Sequence, residues 1–140
     1  MQDILLFAQH HSTLSAALIA VLVLLTILEF IKSKNSAHRL TPARATQMIN
    51  HQNALILDIR NKDVFTTGHI VDAVSIPLSE LESKYKRLDK SKTQPIIIVC
   101  ATGLESPRAA TLLAKHGFTT HILAGGLRSW KESDMPLVKE

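Results

Sequence analysis

The chain begins with one long hydrophobic stretch and continues with short hydrophobic segments separated by polar residues. No Asp, Glu, Lys or Arg occurs from Ile4 to Leu28, and the stretch is most hydrophobic from Leu14 onward. A helix needs about 20 apolar residues to cross a bilayer core of roughly 30 Å, and residues 12–31 supply that length. No polar stripe of helical period interrupts the stretch, as a core helix of a soluble protein would require. We therefore predict a transmembrane anchor at residues 12–31, preceded by a short N-terminal segment at residues 1–11.

After a short polar linker at residues 32–36, the pattern alternates between strand and helix signals. Continuous hydrophobic runs, typical of strands buried on both faces, lie at residues 54–57, 74–76, 96–99 and 120–123. Helical spacing and start signals predict helices that begin near Thr41-Pro42, Leu78, Ser106-Pro107 and Leu127, with Ser106 as an N-cap. This alternation predicts an α/β domain at residues 37–140, with a mostly parallel sheet and helices on both faces.

Charge is distributed unevenly around the hydrophobic stretch. The chain has 16 Lys and Arg against 12 Asp and Glu, and every basic residue lies C-terminal to the predicted anchor. The positive-inside rule then places residues 32–140 in the cytoplasm, as expected of a single-pass protein of the cell inner membrane that contacts lipid through residues 12–31. A secretory signal peptide would instead need a basic N-terminal region, where this chain has Asp3. Because the basic excess is concentrated in residues 32–44, beside the membrane, no nucleic-acid partner is expected.

The only cysteine, Cys100, directly follows the most hydrophobic predicted strand. One cysteine excludes an intramolecular disulfide framework and a multi-cysteine zinc or iron–sulfur site. Ligands of open parallel sheets bind beyond the carboxyl ends of the strands, which is where Cys100 lies. The N–H groups of the following loop and the dipole of the next helix would favour a thiolate there. The alternative is a small apolar residue that ends a buried strand, and the residues alone favour the two equally.

Three segments resemble the signatures of rhodanese-like domains. The first comprises Asp58-Ile-Arg60, Phe65-Thr-Thr-Gly68-His69-Ile70 and Ala73-Val-Ser-Ile-Pro77; the second is Ile97-Ile-Val-Cys100-Ala-Thr-Gly103-Leu-Glu-Ser106; the third is Gly125-Gly126-Leu-Arg-Ser-Trp130 with Met135-Pro136-Leu137. They occur in the family's order and cover residues 37–138. With its added anchor, the chain is similar to single-span, membrane-attached rhodanese-like proteins of bacteria.

The resemblance implies a sheet of roughly five mostly parallel strands and a sulfurtransferase activity. Cys100 would accept sulfane sulfur from a small anionic donor such as thiosulfate and pass the resulting persulfide sulfur to a thiol acceptor or cyanide. No metal or organic cofactor is implied. The loop whose N–H groups would bind the persulfide and the donor consists of Ala101, Thr102, Gly103, Leu104, Glu105 and Ser106. Asp58, Arg60 and His69 match the family's pattern and are expected to have structural roles.

Glu105 is the main departure from the family's pattern, because many active members carry a basic residue in this loop. A carboxylate there opposes an anionic donor unless it points to water or lies at the start of the helix. The alternative function is therefore a weak or inactive rhodanese-like scaffold that recruits an integral-membrane or membrane-associated protein partner. A phosphatase of related architecture would need Arg six positions after Cys100, where this chain has Ser106, so the pattern argues against that activity.

Overall fold

The computed structural model describes residues 12–34 and 37–140. The predicted N-terminal segment and residues 35–36 of the predicted linker lie outside the described residues. The described residues form two compact units, which are one helix, α1 (Ser12–Lys34), and a domain from Ala37 to Glu140. The part Ser12–Glu29 is long and apolar enough to cross a membrane, and by length and composition it also fits a signal sequence. Its large hydrophobic side chains from Leu14 to Leu28 are exposed.

The domain is built on a five-stranded parallel sheet with the strand order β1-β5-β4-β2-β3. The strands are β1 (His38–Leu40), β2 (Leu55–Asp58), β3 (Val74–Ser75), β4 (Ile96–Val99) and β5 (Thr120–Leu123). The helices are α2 (Pro42–Gln52), α3 (Lys62–Thr66), α4 (Leu78–Lys84), a 3₁₀ segment (Tyr85–Ser91), α5 (Ser106–Lys115) and α6 (Gly126–Glu132). The predicted α/β class and parallel sheet are confirmed.

The core forms two layers, one on each face of the sheet, and β4 is buried on both. Ile96 and Ile98 pack with Cys100 and with residues of α4, α5 and the 3₁₀ segment. Ile97 and Val99 pack on the opposite face with residues of α2 and α6. Because side chains alternate along a strand, this division places the Cys100 side chain on the α5 face of the sheet.

The local signals predict most elements, with errors at their boundaries. The strands at 96–99 and 120–123 agree with the sequence, and Thr41 caps α2 through its Oγ1, which accepts a hydrogen bond from the Arg44 N–H at 3.3 Å. The prediction that Ser106 is the N-cap of the following helix is wrong. The helix begins at Ser106, so Glu105 occupies the N-cap position, where its side chain forms no capping hydrogen bond. Since Ser106 is fully buried, its Oγ lies away from water and has no hydrogen-bond partner in the described part of the chain.

Candidate active site

Cys100 lies at the carboxyl end of β4, the central strand between β5 and β2. The residue is only 1% exposed, and its Sγ accepts a hydrogen bond from the Gly103 N–H at 3.0 Å. An amide N–H directed at sulfur stabilises negative charge on it without needing to reorganise. The structure therefore places the only thiol of the chain in the position that a nucleophile of a parallel α/β domain occupies.

The loop turns back on Cys100 because Gly103 adopts a backbone conformation that other residues avoid. Its φ is +86°, and a Cβ at this position would lie 3.1 Å from the backbone nitrogen of Gly125. Both the left-handed conformation and the close approach thus favour glycine. Replacing this residue would move the N–H group that donates to Sγ.

Helix α6 fixes the loop from the opposite face of the sheet. The Leu127 N–H donates to the Cys100 carbonyl oxygen at 2.8 Å, and the Arg128 N–H donates to the Ala101 carbonyl oxygen at 3.1 Å. Because a trans peptide is planar, the N–H groups of these two loop peptides point away from α6. Gly126 permits this contact, since a Cβ there would lie 2.4 Å from the Cys100 carbonyl oxygen. The Gly125-Gly126 pair was part of the third sequence signature, but its role in supporting the loop becomes visible only through this tertiary contact.

Five of the six predicted loop residues lie in the loop and Ser106 is the first residue of α5, and the six differ in exposure. Ala101, Thr102, Leu104 and Glu105 are exposed, whereas Gly103 and Ser106 are buried. Leu104 forms the tip of the loop and is 83% exposed. Among the six N–H groups, that of Gly103 contacts Sγ directly, and the part of the others in binding a donor stays a prediction.

Asp58, Arg60 and His69 stabilise the neighbouring turn, as their match to the family suggested. The Arg60 guanidinium lies 2.7 Å from an Asp58 carboxylate oxygen and also donates to the Gly68 carbonyl oxygen at 2.8 Å. Nδ1 of His69 lies 3.0 Å from the Phe65 carbonyl oxygen, and the two rings stack with centroids 3.8 Å apart. All of these charged and polar groups are buried and partnered, so the structure assigns them to the fold.

A cavity of about 520 Å³ opens beside the loop, and we call it the Arg108 cavity. Its walls include Ala101, Glu105 and Arg108 from the loop and α5, together with Leu78 and Ser79 of α4. These elements pack on the α5 face of the sheet, to which the Cys100 side chain also points. Sequence reasoning missed Arg108, because its position in the cavity depends on residues distant in the chain.

A second cavity of about 470 Å³ adjoins Ala101 and is lined by residues of α6. It contains Arg128 and Lys131, and the Arg128 Nε lies 3.1 Å from a carboxylate oxygen of Glu132. Helix α6 packs on the face opposite to the Cys100 side chain. Of these two cavities, the Arg108 cavity is therefore the one that lies on the same face of the sheet as the Cys100 side chain, although Cys100 itself lines neither of them.

Two histidines lie on neighbouring strands near the amino end of the sheet. His38 of β1 is the register partner of His121 of β5, and their rings stack with centroids 6.1 Å apart. Burial lowers the pKa of His121, and the neighbouring His38 lowers it further. Within residues 12–34 and 37–140, no cluster of three or more His, Cys, Asp or Glu side chains is arranged to hold a metal ion.

Comparison with known proteins defines the class of this domain. The rhodanese-like domain family matches residues 41–133, and the chain belongs to this family. The uncharacterized protein YibN of Escherichia coli K12 is 33% identical over 141 residues, which cover 99% of each chain. The thiosulfate sulfurtransferase GlpE of Coxiella burnetii is 28% identical over 88 residues, covering 62% of this chain and 80% of GlpE. A rhodanese-related protein of Thermoplasma volcanium superposes with a TM-score of 0.68 at 29% identity, covering 74% of this chain and 99% of that protein.

Proposed function

We propose that the protein is a membrane-anchored sulfurtransferase that carries sulfane sulfur as a persulfide on Cys100. The observation that supports this proposal is the Gly103 N–H, which lies 3.0 Å from Sγ in a loop fixed by α6. The similarity to GlpE, a thiosulfate sulfurtransferase, supports the same chemistry. In this proposal the donor is a small sulfur anion and the acceptor is a thiol.

The reaction consists of two displacements at sulfur. The Cys100 thiolate attacks the sulfane sulfur of the donor, the sulfur–sulfur bond of the donor breaks, and sulfite leaves with the bonding electrons when the donor is thiosulfate. An acceptor thiolate then attacks the outer sulfur of the Cys100 persulfide, and the Cys100 thiolate leaves. The Gly103 N–H and the N-terminal dipole of α5 stabilise the negative sulfur in both steps. The residues that we assign to donor binding are Ala101, Thr102, Gly103, Leu104, Glu105 and Ser106.

Helix α1 serves as the anchor in this proposal, with lipid around residues 12–31. Its exposed hydrophobic side chains support a span, and the absence of basic residues before it favours a cytoplasmic domain. The cytoplasm is reducing, so it keeps a lone thiol available for sulfur transfer. The membrane of this proposal is the cell inner membrane.

Two observations favour a scaffold as the second candidate function. Cys100 is 1% exposed and packs within the core, and the carboxylate of Glu105 lies at the rim of the cavity. In a scaffold, the domain would recruit an integral-membrane or membrane-associated protein, and Cys100 would serve only as a small core residue.

Sulfur loading on Cys100 distinguishes the two functions. The full chain, purified in detergent, is incubated with thiosulfate and analysed by mass spectrometry under non-reducing conditions. We expect a mass increase of one sulfur atom on Cys100, its removal by cyanide with formation of thiocyanate, and no increase in Cys100→Ser. A folded parent protein that gains no sulfur from thiosulfate or from any persulfide would refute the enzyme and favour the scaffold.

A further inference from the structure

Within residues 12–34 and 37–140, the Arg108 cavity contains one charged side chain of each sign that forms no ion pair. Glu105 and Arg108 both line it and are exposed, and no ion pair joins them. Arg60 also reaches the cavity, but the buried carboxylate of Asp58 neutralises it. A ligand that enters the cavity therefore meets a carboxylate and a guanidinium that no other group in the described part of the chain neutralises.

The remaining walls of the cavity suit an organic molecule. Ile59, Val64 and Leu78 contribute apolar surface, and the volume of about 520 Å³ greatly exceeds that of a thiosulfate ion. Cavities that bind organic ligands typically have about 300–1,000 Å³ and combine apolar walls with a few polar groups. A compact dianion would fill little of this space, and repulsion by Glu105 would offset its attraction to Arg108.

We propose that the cavity selects a zwitterionic organic persulfide, with an amino-acid head group, as the sulfur donor. The Arg108 guanidinium binds the carboxylate of the head group, and the Glu105 carboxylate binds its ammonium group. Ala101, the neighbour of Cys100 in the chain, forms part of the same wall, whereas Cys100 itself does not line the cavity, so the proposal requires the persulfide arm of the donor to extend from the head group past Ala101 to Sγ. This inference rests on the proposed sulfurtransferase function and identifies its donor class.

The transfer balances without a further reactant. The Cys100 thiolate attacks the outer sulfur of the donor persulfide, R–S–SH, and forms a new sulfur–sulfur bond. The original sulfur–sulfur bond breaks, and the donor leaves as the thiolate R–S⁻ with the bonding electrons. Cys100 then carries the persulfide, and the oxidation state of the transferred sulfur is unchanged.

Three donors of similar length test the recognition of the head group. These are the persulfides of cysteine, 3-mercaptopropionate and cysteamine, each generated from its symmetrical disulfide and sulfide, with sulfide alone as a blank. Single-turnover loading of Cys100 in the full chain is followed by rapid quenching and mass spectrometry. We expect loading by the cysteine persulfide to be about tenfold more efficient than loading by either donor that lacks one charge, as for a lost charge-assisted hydrogen bond.

Two substitutions separate the contributions of the charges. Glu105→Gln should reduce the efficiency with the cysteine and cysteamine persulfides and leave the mercaptopropionate persulfide unchanged or improved. Arg108→Gln should reduce the efficiency with the cysteine and mercaptopropionate persulfides and leave the cysteamine persulfide unchanged or improved. Arg87→Gln, an exposed arginine in the 3₁₀ segment outside the cavity, is the matched control and should behave like the parent protein.

Failure of the inference differs from failure of the proposed function. If all three persulfides load Cys100 with equal efficiency, or if both cavity variants change all donors alike, the head group is not recognised and the inference is wrong. The sulfurtransferase would then stand without it. If no persulfide and no thiosulfate loads Cys100, the proposed function fails as well.

Discussion

Gly126→Ala tests whether the contact between α6 and the loop determines the geometry at Cys100. Gly126 has a φ of +59°, and an added Cβ would lie 2.4 Å from the Cys100 carbonyl oxygen and 2.7 Å from the Gly103 backbone nitrogen. Alanine in the left-handed conformation costs about 1–2 kcal/mol, and overpacking against a backbone that cannot rotate away adds about 1–3 kcal/mol. We expect Gly126→Ala to lower the free energy of unfolding by about 2–5 kcal/mol.

Gly117→Ala is the matched control for this substitution. Gly117 also has a positive φ, of +85°, but nothing lies within 4 Å of its added Cβ. Its expected cost is therefore the conformational part alone, about 1–2 kcal/mol. The difference between the two variants isolates the clash with the loop.

The assay is urea unfolding of the full chain in detergent, followed by the fluorescence of Trp130, the only tryptophan, which is buried in α6. Sulfur loading of Cys100 is measured on the same samples below the unfolding transition. Gly126→Ala should lose more stability than Gly117→Ala and should also load sulfur more slowly, because the displaced Gly103 N–H no longer reaches Sγ. Equal losses of stability, or loading at the parent rate in folded Gly126→Ala, would refute this account of the loop.

Three further predictions concern charge, pH and access to the thiol. Glu105→Arg should raise turnover with thiosulfate severalfold, and Glu105→Gln should give part of that gain. Both gains should decrease at high salt, because screening weakens the repulsion between the carboxylate and the donor. Steady-state thiocyanate formation measures turnover, and unchanged turnover in both variants would show that the carboxylate has no effect on the reaction. Burial lowers the pKa of His121 in the folded protein, so protonation of this residue favours the unfolded chain. The contribution of His121 to the free energy of unfolding is therefore fully present above its unfolded pKa of about 6.5 and is lost as the pH falls below that value. Urea unfolding should therefore show a smaller loss of stability between about pH 7 and pH 5 in His121→Gln than in the parent protein, and parallel curves would contradict the assignment. A membrane-impermeant maleimide should not label Cys100 in intact cells, because the domain is predicted to lie in the cytoplasm. It should label Cys100 after lysis in denaturant, which is needed because the residue is 1% exposed in the folded protein. Labelling in intact cells would reverse the predicted orientation.

The sequence predicted those elements whose stability is local. β4 is an unbroken β-branched run that is buried on both faces, and α2 begins at its own capping threonine, Thr41. β1 was missed because its first two residues, His38 and Arg39, are polar and exposed, and the strand exists through its pairing with β5. α3 was missed because five residues provide too little helical periodicity to detect.

The features of the candidate site that depend on neighbouring residues in the sequence could be predicted, and those that depend on contacts between distant segments could not. The position of Cys100 after a buried strand and the glycine at position 103 follow from local pattern. The Leu127 N–H bond to the Cys100 carbonyl oxygen and the place of Arg108 in the cavity depend on segments that meet only in the folded domain. The Ser106 error is a boundary error of one residue, because α5 begins at Ser106 and not after it.

The three candidate functions of this domain, which are a thiosulfate enzyme, an amino-acid persulfide enzyme and a scaffold, predict different effects of replacing Glu105. At the rim of a site for a compact dianion, its charge opposes binding, so removing it should help the reaction. In a site for a zwitterion, the same charge binds the ammonium group, so removing it should help thiosulfate and harm the amino-acid persulfide. In a scaffold, removing it should affect neither donor, because no sulfur is transferred. Since Gly103 and α6 fix the thiol in the same way in all three cases, the response of the donors to Glu105→Gln, and not the geometry at Sγ, distinguishes them.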